Sequence, residues 1–83
     1  REAYRLLDAG DNDGAEREID RLLAARPKDG DALGARGVLR LRQMRYGEAE
    51  QALRDAQRAK PATAARWNEA LKAASFWRHV QAA

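Results

Sequence analysis

Four arginines, Arg36, Arg40, Arg42 and Arg45, fall within ten residues with no acid among them. Cations so spaced could clamp phosphates if they shared one face with aromatic rings nearby. On a helix they split, Arg36 with Arg40 and Arg42 with Arg45, and the chain's net charge is only +3. A solvated surface is therefore expected, its arginines partnered by Glu48, Glu50 and neighbouring helices, and no nucleic-acid partner. Asp11-Asn12-Asp13-Gly14 sets carboxylates beside a glycine, as a calcium loop does. With Gly14 in the glycine place, the first ligand falls on Ala9 and the closing carboxylate on Asp20. Alanine cannot ligate and aspartate is short for a bidentate closure, so a capped turn is expected. Trp67, Phe76 and Trp77 hold three of the five rings. Such rings stack on sugars or anchor interfaces, but their helical spacing points to packing between helices. His79 is the only histidine and there is no cysteine, so no metal site assembles. Ser75 and His79 lie on one predicted helix without a third partner, and no glycine-rich phosphate loop is present. These residues compose no catalytic centre, and neither an enzyme nor a cofactor is expected.

The elements that must position these residues are helices. Residues 1–9 read as a helix with Ala3, Leu6 and Leu7 on one side and Gly10 as its C-cap, since glycine enters the left-handed conformation cheaply. Asp13 is the expected cap of a second helix over 14–25. Its apolar stripe is Ala15, Ile19, Leu22 and Leu23, and Pro27 stops it. After Lys28-Asp29-Gly30, Asp31 is expected to cap a third helix over 32–44 with the stripe Leu33, Gly37, Leu41 and Met44. Glycine in mid-helix costs roughly 1 kcal/mol against alanine, which makes sense if a neighbouring helix approaches there. Arg36 and Arg40 border this stripe; their stems are expected over the core and their heads in water. A fourth helix over 47–59 turns Ala49, Leu53 and Ala56 inward, flanked by Ala52, and Pro61 ends it. Tyr46 is expected to wedge against the helix that follows. That helix is predicted as one piece over 63–82, with the stripe Trp67, Ala70, Leu71, Ala74 and Trp77, widened by Phe76 and Val80.

The second and fourth helices are copies. Ala15 and Ala49 are 34 residues apart, and so are Pro27 and Pro61. With Gly37 twelve before Ala49, and with Leu53, Ala56 and Pro61 following, this spacing resembles the tetratricopeptide repeat, whose period is 34 residues. The resemblance implies an all-α solenoid of antiparallel helix pairs, here about five helices with a long last one. Its units are 1–27, 28–61 and a degenerate or connecting third, 62–83. Packing between helices is expected at Ala15, Ile19, Leu22, Pro27, Leu33, Gly37, Tyr46, Ala49, Leu53, Ala56, Pro61, Trp67 and Leu71. In that family the first helix of each pair lines a groove for an extended peptide or a partner's helix. The groove candidates carried over are Tyr4, Leu7 and Asp8; then Asp31, Gly34, Ala35, Val38, Leu41 and Arg42; then Asn68, Glu69, Lys72 and Ser75. Arg42 and Lys72 could hold a carboxylate.

The run of alanine- and arginine-rich repeats before Trp67 to Ala82 is also similar to the periplasmic repeat region of a bacterial cellulose synthase family, the outer-membrane exopolysaccharide exporters that carry a long tetratricopeptide array. That likeness implies a scaffold in the periplasm touching other synthase subunits or cell-wall glycan. The length, 83 residues, allows one domain or less. A compact fold of this size buries only about 60% of its unfolded surface, so a piece of a longer array is expected. No apolar run long enough to span a membrane exists in the sequence.

Overall fold

The computed structural model describes residues 2–82, all of them in helices or the turns between helices. In order, the elements are α1 (Glu2–Asp8), α2 (Asn12–Ala25), α3 (Gly30–Arg42), α4 (Tyr46–Ala59), a 3-10 segment (Pro61–Trp67) and α5 (Asn68–Ala82). Each helix packs chiefly on its neighbours in sequence, α1 on α2, α2 on α3, α3 on α4 and α4 on α5. The chain is thus an all-α stack of antiparallel hairpins, five helices with a long last one.

Two apolar clusters form the core. One joins Ala3 and Leu7 of α1, Ala15 and Ile19 of α2, and Ala35 and Leu39 of α3. The other joins Ala49, Leu53 and Ala56 of α4 to Trp67 and Ala74. Val38 and Tyr4 touch both and bind the clusters into one body. Leu22, Leu33, Tyr46 and Leu71 are half-buried, and Pro27 and Pro61 are exposed at the helix ends they terminate.

Small residues set the closest approaches. A Cβ on Gly37 would lie 2.5 Å from Leu53 Cγ and 3.4 Å from the Ala49 carbonyl oxygen. Gly34 lies under the indole of Trp67 and has no space for a Cβ. The helical cost of these two glycines is therefore the condition for α4 and Trp67 to reach α3.

The helix ends differ from expectation in detail. Asp11, not Asp13, caps α2, accepting from the Gly14 N–H at 2.8 Å. Asp29, not Asp31, caps α3, accepting from the Asp31 and Ala32 N–H groups at 3.1 and 3.2 Å. In each turn two aspartates compete, and the first lies at the reach from which a carboxylate meets free amides. α1 ends as expected at Gly10, φ +80, with the paired bonds Gly10 N to Leu7 O and Asp11 N to Leu6 O. α3 ends identically, 34 residues on, with Met44 N to Leu41 O and Arg45 N to Arg40 O. Met44 therefore takes the left-handed place, φ 59, and its side chain is 64% exposed instead of joining the α3 stripe.

The predicted single helix over 63–82 begins instead as the 3-10 segment. Pro61 starts it, and the Gln57 amide of α4 holds it by donating to Ala64 O at 3.0 Å and Asn68 Oδ1 at 2.9 Å. This tighter winding brings Trp67 down onto Gly34. Tyr46 does meet the last helix, stacking on Trp77 with ring centroids 6.2 Å apart.

Candidate interaction surface

One face of the stack, called the inner face below, joins α1, α3 and the 3-10 segment. Tyr4 stacks on Trp67 at 6.3 Å and 15°. The Tyr4 hydroxyl donates to the Asp31 carbonyl oxygen at 2.9 Å. Arg66 lies over both rings, 4.7 Å from the Trp67 centroid and 5.6 Å from that of Tyr4, within cation–π range. Its guanidinium and Lys60 Nζ also reach the largely buried Asp31 carboxylate, at 3.4 and 3.7 Å. One aromatic and ionic knot thus spans the first helix, the third and the segment after the fourth. Beside it an open cleft of about 560 Å³ is lined by Arg26, Pro27, Lys28, Asp29, Asp31 and Lys60.

The groove candidates divide on this geometry. Leu7 is 2% exposed and belongs to the core; Gly34 and Ala35 are buried as well. They face helices instead of a groove, because the small residue of each pair is needed at a seam. Asp31 is drawn inward by its two cations. Tyr4, Val38 and Leu41 are half-buried, and Asp8 and Arg42 are exposed. The Arg42 guanidinium donates to the Leu7 carbonyl oxygen, tying α3 to the open end of α1. Asn68, Lys72 and Ser75 stand apart from this group. With Leu71 and Arg54 they line a second cleft of about 250 Å³ between α4 and α5. Lys72 also lies 3.6 Å from Glu69.

Arg66, Lys60 and Arg26 were not among the sequence candidates. The available signal was that Arg26 and Lys60 are 34 residues apart, each the C-cap just before its proline.

The arginine cluster is answered within the chain. Arg40 makes a two-pronged bond to Glu16 at 2.6 and 3.0 Å, and Arg36 reaches Asp20 at 2.9 Å. Arg45 grips Glu48 at 2.6 and 2.7 Å. The heads of Arg36 and Arg40 therefore lie against α2, paired with a neighbouring helix as expected, with Arg40 the less exposed of the two. Hydrogen bonds from Arg40 hold the Glu16 carboxyl below its ordinary value, over an opposing push from burial. Burial raises Glu50, but Arg54 and Arg78 together outweigh it and leave that carboxyl low as well. Arg78 Nε sits 2.7 Å from Glu50 Oε1, off the line of a good hydrogen bond, so this contact is chiefly Coulombic.

Of the rings named in the sequence, Trp67 is 5% exposed and closed to any ligand, whereas Phe76 and Trp77 remain open. His79 turns Nδ1 to the Ser75 carbonyl oxygen of its own helix at 2.8 Å. Among the described residues no cluster of His, Cys, Asp and Glu could hold a metal ion, and no helix is long and apolar enough to cross a membrane.

Comparison with known proteins agrees with this architecture. A tetratricopeptide repeat family model matches residues 1–64. The cellulose synthase operon protein C of Xanthomonas axonopodis pv. citri (strain 306) is 39% identical over 82 residues, 99% of this chain. That of Pseudomonas fluorescens (strain SBW25) is 45% identical over 75 residues, 90% of this chain. That of Komagataeibacter xylinus is 37% identical over 70 residues, 84% of this chain. The chain spans only 5%, 6% and 5% of the lengths of these relatives. No solved structure matches. With the doubled hairpin, the small-residue seams and this match together, the chain belongs to the tetratricopeptide repeat family.

Proposed function

We propose that this chain is a non-catalytic scaffold segment of a bacterial cellulose synthesis and export apparatus, placed in the periplasm and holding other subunits of that apparatus. The observation that carries the reading is its likeness, over most of its length, to three proteins named for the cellulose synthase operon. Its chemistry fits. Arg36, Arg40 and Arg78 are each engaged with an acid of a neighbouring helix, which stiffens the body as a scaffold requires. The contact surface is the face of α1, α3 and the 3-10 segment that carries the knot of Tyr4, Trp67 and Arg66 at one end and the exposed Asp8 and Arg42 towards the other, with Val38 half-buried.

The test is binding of the chain to purified cellulose synthase subunits. Saturable binding that weakens at least tenfold in the Asp8→Lys variant is expected; Arg42 and Arg66 are left intact because they also tie α1 and the 3-10 segment to α3. Binding to none of the subunits contradicts the reading. A second reading, contact with cell-wall glycan, draws on the exposed Phe76 and Trp77. A change of tryptophan fluorescence with oligosaccharide, lost in Trp77→Ala, would favour it.

A further inference from the structure

The family match stops at residue 64, inside the 3-10 segment. Even so, α5 repeats α3. Laid on residues 32–43 at the 34-residue period, the later sequence offers no identical residue. Moved four residues further, it offers five: Ala32 with Ala70, Leu33 with Leu71, Ala35 with Ala73, Arg40 with Arg78 and Gln43 with Gln81. Gly37 then falls on Ser75 and Val38 on Phe76, small on small and apolar on apolar.

The fold carries the same offset. Arg40 crosses to Glu16 of α2 at 2.6 Å, and Arg78 crosses to Glu50 of α4 at 2.7 Å. The two glutamates are 34 residues apart and the two arginines 38. The second helices keep the period; the first helices gain four residues between them. Those four lie in the 3-10 segment, since Ala32 is five residues after Pro27 and Ala70 nine after Pro61. One extra turn hides the repeat from a fixed period.

We infer that α5 is the first helix of a third hairpin, displaced by one turn, and that its seam of Leu71, Ser75 and His79 receives an antiparallel amphipathic helix like α4, joined to α5 by a short turn after Gln81. The template is inside the molecule. In α3 the matching Leu33 and Leu41 pack with the α4 stripe of Ala49, Leu53 and Ala56, and Gly37 lets Leu53 in. On α5 the corresponding face is covered from one side only: Leu71 packs on the α4 cluster, yet with Lys72, Ser75 and Arg54 of α4 it lines the 250 Å³ cleft, and the neighbouring Phe76 is 61% exposed. Gln81 matches Gln43, the C-cap that leads from α3 into the turn before α4, and α5 runs one residue past it, to Ala82. The occupant therefore carries α4's chemistry, a small residue with leucine four later and alanine three after that.

The experiment extends the chain past Gln81 with a copy of residues 44–60, the turn and α4. The extended chain should melt higher than the original by about 5 °C or more, as a stabilisation near 1 kcal/mol does at this size. The same pair is then made with Ser75→Arg, whose long stem the uncovered α5 accommodates towards solvent. The gain, read as extended minus original, should vanish in that pair. No gain in the unsubstituted pair, or a gain that survives Ser75→Arg, overturns the inference. The proposed scaffold role is unaffected by that outcome, because its contact surface is built by α1, α3 and the 3-10 segment.

Discussion

Met44 shows how much one residue's conformation can decide. It occupies the left-handed C-cap place that Gly10 fills in the preceding unit, at a cost of roughly 1–2 kcal/mol for a residue with a Cβ. Its exposed side chain returns little. Met44→Gly should raise the melting midpoint by about 4–8 °C, read by circular dichroism; an unchanged or lower midpoint would show that the side chain has an unseen role. Gly34 is the opposite case. Gly34→Ala gains helix propensity but drives a methyl into the Trp67 indole, and overpacking of this kind costs typically 1–3 kcal/mol. A lower midpoint, with a red shift in tryptophan emission as Trp67 is displaced, is the expected result. From sequence alone Gly34 looks like a groove residue; nothing local reveals that a ring 33 residues away covers it.

At the scale of the element, periodicity was sufficient for α2 and α4, whose apolar stripes and closing prolines are visible in the bare sequence. It was insufficient at the caps, where Asp11 and Asp13, or Asp29 and Asp31, offer the same chemistry two residues apart. It also missed the 3-10 turn, because alanines and a threonine after a proline wind either way until Gln57 and Trp67 are in place. Between elements, Arg40 is the chief tie, joining α3 to Glu16 of α2 and lying 3.9 Å from Glu48 of α4. A double-mutant cycle of Arg40→Met with Glu16→Gln should give a coupling of about 1 kcal/mol, at the upper end for partly exposed pairs. The sign with pH follows from the lowered Glu16 value. A carboxyl held below its unfolded value stabilises the fold above that value and loses the contribution as pH falls through the lowered one. The stability gap between the parent and Arg40→Met should therefore be full above about pH 4.5, the ordinary glutamate value, and narrow below it. A gap that widened in acid would contradict the pairing.

Taken as a whole, the chain is less open than a ribbon of repeats suggests. Its accessible surface is 5072 Å², close to the roughly 5,000 Å² that area scaling gives a compact protein of this mass. The radius of gyration, 12.0 Å, is likewise near the ~11.8 Å of a globule of this length. Two and a half hairpins fold back enough for Tyr4 of the first helix to meet Trp67, and that contact closes the inner face. The chain should consequently unfold as one unit. Urea transitions followed by tryptophan emission, which reports the C-terminal half, and by amide exchange in α2 should share a midpoint; two separated midpoints would mean the hairpins are independent.

The central claim is that the helices nest as hairpin copies, with glycine and alanine where backbones come closest. The most direct test is the pattern of proton–proton nuclear Overhauser effects from Gly34 and Gly37 in solution. Strong effects from the Gly34 α-protons to the Trp67 indole, and from those of Gly37 to the Leu53 methyls, are predicted. Their absence, with Trp67 emitting as a water-exposed residue, would contradict the nesting and the inner face built on it.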